Sequence, residues 1–148
     1  MKMTETSKSI RLADRGWPYR YRLIVRPNLA DFTFITDEIA FFDLKESTTE
    51  ITLHADELEV DRASYIQNGE EINSQGIAYD DKAQTVTFSF VRELPSGRGE
   101  LRLKFKGVLN DKMRGFYRST YKQAGKTCYL ATTQFEATDA RRAFPCCD

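Results

Sequence analysis

Histidine occurs once in these 148 residues, at His54, and any site that needs two imidazoles therefore cannot be built from this chain. His54 lies in a strand-like stretch, ITLHADEL, with no serine or cysteine nucleophile at a recognisable spacing, so a structural or surface role is expected for it. Cysteine is equally sparse. Cys128, Cys146 and Cys147 form an odd set, which excludes the disulfide framework of a small secreted domain and points to reduced thiols in an intracellular, cytoplasmic setting. Together with His54 they make a nominal Cys3His zinc set, but directly adjacent cysteines direct their sulfurs apart, whereas the usual CxxC gap brings both onto one ion. No metal site is expected, and a Cys146–Cys147 disulfide would close a strained ring. Glycine-rich phosphate loops are missing too: PSGRGE lacks the GxxxxGK[ST] spacing and reads as a hairpin turn. No apolar run has the length of a membrane span or the form of a signal peptide, so a soluble chain is expected. Net charge is zero, which removes the global field that would draw in nucleic acid or an anionic membrane.

What the chain does have is aromatic and apolar residues. Ten Phe, seven Tyr and one Trp within a hydrophobic fraction of 41% supply a core that a disordered chain lacks. The length suits a single domain, drawn here as a flexible segment over 1–10 and one β domain over 11–148. Alternation with period two recurs along it. Tyr19, Tyr21, Leu23 and Val25 alternate with mainly polar neighbours, as do Val86, Phe88 and Phe90, and Leu101, Leu103 and Phe105; each predicts a strand with one buried and one wet face. Further strands are predicted at 31–44, 50–54, 57–67, 75–80, 114–121 and 127–134, with turns at Asn68-Gly69, Asp80-Asp81 and Pro95-Ser96-Gly97. Only a turn near the start and the stretch Thr138 to Ala143 are candidates for helix, the latter capped by Thr138 and stopped by Pro145. The fold class is all-β, an antiparallel sandwich-like domain with at most one short helix near the C-terminus.

Charge is unevenly spread. Residues 31–81 hold fourteen acidic side chains against two basic ones, and the rest of the chain compensates. Cross-strand pairing inside one domain is the plain explanation, and an acidic docking surface is the sharper one. Among individual acids Glu136 stands out, because it follows the apolar strand TCYLATTQF where the chain leaves the sheet, a position suited to meeting a ligand. Its plain alternative is a solvated acid paired with Arg141 or Arg142.

The segment TTQFEATDARRAFPC, preceded by NDKMRGFYRSTY, resembles the N-terminal domain of the zinc aminopeptidases of the aminopeptidase N and puromycin-sensitive aminopeptidase group. RLADRGWPYRYRLIVRPNLADFTF and EITLHADEL continue the resemblance upstream in matching order, so it covers nearly the whole chain. It implies a saddle-shaped, mainly antiparallel β domain that packs against a catalytic domain in the complete enzymes. It also implies substrate-binding roles: Glu136 holds the free α-amine of a peptide, and Gln134 lines the same subsite, since a carboxylate facing an ammonium forms a charge-assisted hydrogen bond. Zinc is the cofactor of the full-length family, bound there by an HExxH helix and a further Glu. With one histidine, this chain carries no such motif, no catalytic residue and no cofactor of its own, and the GxMxN substrate loop is missing as well. Smaller departures are Ala13 in place of a Leu-Pro pair, Ile35-Thr36 in place of an acid and glycine, and Cys147 in place of tryptophan.

The resemblance implies either a stand-alone, non-catalytic binding module or the N-terminal part of a complete metalloaminopeptidase. An unrelated β-sandwich interaction module is the reading from another class. Expected partners are a second copy of the chain, an aminopeptidase catalytic domain, or a peptide, through the face that a catalytic domain would cover.

Overall fold

A computed structural model describes residues 16–147 of the chain. The expected flexible segment 1–10, the turn near the start and Ala13 lie outside the described residues. Ten strands follow one another: β1 (Gly16–Asn28), β2 (Thr33–Leu44), β3 (Thr48–His54), β4 (Leu58–Gln67), β5 (Glu70–Asn73), β6 (Gly76–Asp80), β7 (Thr85–Leu94), β8 (Gly97–Val108), β9 (Gly115–Gln123) and β10 (Lys126–Gln134). They form a five-stranded sheet in the order β1-β2-β8-β4-β5, a three-stranded sheet β3-β7-β6 and the β9–β10 hairpin. Every strand pairing is antiparallel. The all-β, sandwich-like architecture expected from the alternating pattern is the one the chain adopts.

The pattern works because each strand sends alternate side chains inward. Phe34, Ala40 and Phe42 of β2, Leu101, Leu103 and Phe105 of β8, and Val60, Ala63 and Tyr65 of β4 meet Ile51 and Leu53 of β3 and Val86, Phe88 and Phe90 of β7 in one cluster. Two glycines of β8 leave room for aromatic rings. A methyl group at Gly107 would sit 2.5 Å from the Phe34 ring, and one at Gly99 would overlap the Tyr65 hydroxyl.

Three sequence expectations need correction. Strand β1 is only partly covered: Tyr21 and Leu23 are half-buried, while Tyr19 and Val25 are exposed. The register shifts between Pro18 and Arg20, and this bulge leaves Tyr19 beside Phe41, with their rings 6.4 Å apart. Alternation reports which side a residue faces and not whether anything lies above it. The stretch 138–143 is a short 3-10 turn, Asp139–Arg142, and the Thr138 side chain makes no capping hydrogen bond. Strand β5 was not foreseen, because Glu70-Glu71-Ile72-Asn73 shows no apolar alternation; its order comes from pairing with Ser64 to Gln67 of β4.

The uneven charge of the sequence resolves in space into alternating strands. Within the large sheet, basic β1 lies beside acidic β2, β2 beside basic β8, and β8 beside β4 with Glu59 and Asp61. Arg26 reaches Asp37 at 2.7 Å, and Lys106 reaches Glu59 and Asp61 at 3.6 and 3.8 Å. These contacts are those of cross-strand pairing within one domain.

Candidate functional site

Gln134 is the last residue of β10, in register with Gly115 at the start of β9. Beyond it the chain turns sharply. The Glu136 backbone N–H donates to Gln134 Oε1 at 2.9 Å, and the Glu136–Ala137 peptide is cis. The Asp139 N–H then donates to the Phe135 carbonyl at 3.1 Å, which starts the 3-10 turn. The structure thus brings Gln134 and Glu136 together in one turn, both exposed. The Gln134 carbonyl oxygen is engaged, and its amide N–H groups remain directed away from that bond.

Glu136 does not pair with Arg141 or Arg142, and its carboxylate makes no ion pair among the described residues. Arg142 is committed elsewhere. Its Nη1 lies 2.9 Å from Asp56 Oδ2 and 3.3 Å from Glu57 Oε1, and its Nε donates to Asp139 Oδ1 at 3.1 Å. Nη1 sits between two carboxylates without aligning on either, so its contribution there is mainly coulombic. The Arg141 carbonyl accepts the Asp56 N–H at 2.9 Å, and its guanidinium donates to Gln84 Oε1 at 3.1 Å. Gln84 Nε2 in turn donates to Asp56 Oδ2 at 3.0 Å. The paired arginines of the motif therefore clasp the turn onto the β3–β4 connection.

Two more contacts finish the clasp. His54 and Cys146 exchange backbone hydrogen bonds, and the Cys147 N–H donates to Tyr21 Oη at 2.9 Å. Burial pushes the Tyr21 phenol well above its usual range, so this hydroxyl stays protonated as it accepts. The Phe144 ring stands between Tyr21 and Phe135, at 5.2 and 6.3 Å. Gly115 makes this approach feasible: at φ +69° its missing side chain would meet Arg142 Cβ at 2.6 Å.

Sequence reasoning singled out Gln134 and Glu136 and did not mark the residues that hold their turn. Asp56, Gln84, Tyr21 and Gly115 come from distant segments, and nothing in their local spacing marks them as one cluster. None of the three cysteines forms a disulfide. Cys146 is buried, and among the described residues no three His, Cys, Asp or Glu side chains converge as a metal site. Among the described residues no donor set fits the zinc that the resemblance implies for complete enzymes. No described helix is long and apolar enough to cross a membrane.

The fold is an all-β domain with Glu136 on a clasped turn beyond the end of β10. The chain belongs to the Peptidase M1 N-terminal domain family, whose match covers residues 17–148. It is 46% identical over 132 residues to Aminopeptidase 2 of Candida albicans, an alignment covering 88% of this chain and 14% of that protein. With Aminopeptidase M1-C of Oryza sativa it shares 44% over 131 residues, covering 88% of this chain and 15% of the relative. Puromycin-sensitive aminopeptidase of Caenorhabditis elegans is 40% identical over 140 residues, 93% of this chain and 15% of the relative. The chain thus spans about one seventh of these relatives.

Proposed function

We propose that this chain acts as a non-catalytic binding module of the aminopeptidase type, in which Glu136 receives the free α-ammonium of a peptide and Gln134 offers its amide to the neighbouring backbone. One observation carries this reading: the Glu136 carboxylate is unpaired although two arginines follow within six residues, because Arg142 is held by Asp56, Glu57 and Asp139. An acid kept clear of neighbouring cations is ready for a cationic ligand. Exposure limits the gain to about 0–1 kcal/mol for such a pair, so binding by the chain alone is weak. A sparse, odd set of cysteines that forms no disulfide supports a reducing, cytoplasmic setting.

Calorimetry with a free-amine peptide and its acetylated form tests this. Heat is expected only from the free amine and is abolished by Glu136→Ala, a change at an exposed carboxylate. Equal heats from both peptides remove Glu136 from the site. With aminoacyl chromogenic substrates no turnover is expected at any zinc concentration, and zinc-stimulated turnover by peptidase-free protein overturns the non-catalytic reading.

A second reading has its own support. The chain covers only 14–16% of its relatives' lengths, which favours the N-terminal part of a complete zinc aminopeptidase that removes N-terminal residues from peptides. A transcript continuing into an HExxH segment decides for it. Solution mass, alone and with an aminopeptidase catalytic domain, separates self-association from docking.

A further inference from the structure

The outward face of the large sheet carries a charge arrangement that folding does not require. Lys104 of β8 and Arg62 of β4 are direct cross-strand partners, both exposed. Like charges placed opposite each other destabilise a sheet. The next outward position along β8, Lys106, is compensated by Glu59 and Asp61. On its other side Lys104 faces Asp37, but that carboxylate is taken by Arg26 at 2.7 Å. Arg22 on β1 is exposed as well, and its register partner is Ile39. Among the described residues, Arg22, Arg62 and Lys104 make no ion pair. Arg20 and Arg98 of the same sheet also make no ion pair, but they lie over the Phe41 and Tyr19 rings at 5.4 and 5.1 Å, which leaves Arg22, Arg62 and Lys104 as cations with neither an ion pair nor a ring contact among the described residues.

We propose that this face docks an extended acidic protein segment whose carboxylates, at alternate positions, meet Arg22, Lys104 and Arg62. The Cα atoms of the three cations span roughly 16 Å diagonally across three strand spacings. Three alternate side chains of an extended segment span about 13 Å, and flexible lysine and arginine arms close the difference. Ile24, 51% exposed and two residues along β1 from Arg22, and Ile39, the register partner of Arg22 on β2, lie on the same face and offer apolar contact to the segment's other atoms. A peptide is favoured over a nucleic acid because Asp37, Asp43 and Glu59 are interspersed on the face. They would oppose a continuous polyphosphate while leaving room for three discrete carboxylates.

The probe is acetyl-Glu-Ser-Glu-Ser-Glu-amide. Its blocked amine keeps it outside the Glu136 reading, so either idea can fail alone. Calorimetry reads occupancy directly. Binding is expected to weaken as salt rises and to fall about tenfold or more in the triple variant R22E/R62E/K104E, three exposed pairs being removed. R62E alone is expected to weaken binding and raise the thermal midpoint, since it relieves the Lys104 contact; a merely structural Arg62 would show only a loss of stability. The proposal is overturned if wild type gives no signal up to the probe's solubility limit, or if the triple variant binds equally. It is also overturned if the Lys-Ser-Lys-Ser-Lys analogue, a deoxythymidine oligomer or phosphatidylserine vesicles bind as well as the acidic probe.

Discussion

His54 and Cys146 face each other as a single antiparallel bridge, the His54 N–H donating to Cys146 at 2.7 Å and the Cys146 N–H returning at 2.9 Å. This pair anchors the far end of a turn whose near end is fixed in the β9–β10 hairpin. Between those anchors lie Glu136 and the two arginines, so the geometry of the candidate site depends on residues outside the turn itself.

Replacing Arg142 with Met should lower unfolding stability by about 2 kcal/mol, below the 3–5 kcal/mol of a fully buried pair because the site keeps some solvent access. The Arg142 side chain is 12% exposed, and its partners Asp56 and Asp139 are 19% and 21% exposed. Urea unfolding measures this directly. A midpoint equal to wild type would show that the clasp contributes nothing.

Gly115→Ala should cost about 2 kcal/mol, combining a left-handed backbone with a clash against Arg142. A double variant Gly115→Ala/Arg142→Gly tests the cause, because only glycine at 142 removes the Cβ that the new methyl group meets. If the clash matters, the combined loss is smaller than the two single losses added together.

Glu38 predicts a pH dependence. It is 1% exposed on the inward face of β2, and neither carboxylate oxygen finds a partner. Desolvation holds its carboxyl well above the usual range, so the folded state keeps a proton that the unfolded state releases. Stability from this group is therefore complete below pH about 4.5 and falls as pH rises until the folded group also ionises. Glu38→Leu should raise stability at neutral pH and flatten that decline. Thermal melts across pH 5–8 with parallel slopes for both proteins would contradict the assignment.

Tyr21→Phe keeps the ring against Phe144 and removes the acceptor for the Cys147 N–H, at a cost of about 1 kcal/mol. Hydrogen exchange should quicken at Cys147 while the β2–β8 amides stay protected. Uniform acceleration would place the effect in the sheet instead.

Strands were legible wherever one side chain in two is apolar and covered, as at Val86, Phe88 and Phe90. The reading failed at β1, where coverage depends on a distant segment, and at β5, where pairing orders a polar stretch. For the site, Gln134 and Glu136 came through a family resemblance, while chemistry alone left Glu136 as a solvated acid. Its separation from Arg142 was not readable, because Asp56 and Glu57 lie about eighty residues away in sequence and compete for the guanidinium. Likewise, nothing local marks Glu38 as inward-facing: its neighbours Asp37 and Ile39 offer no clear alternation, and only the register with Leu23 and Leu103 places it.

The strand-by-strand alternation of charge bears on how the chain finds its register. Before folding, an acidic block spanning 31–81 lies between two more basic segments, and the pairings β1–β2, β2–β8 and β4–β8 each join a basic to an acidic stretch. Long-range attraction thus shortens the search for contacts that are costly in loop-closure entropy. Salt would screen this guidance as well as the finished sheet, and refolding is expected to slow as ionic strength rises.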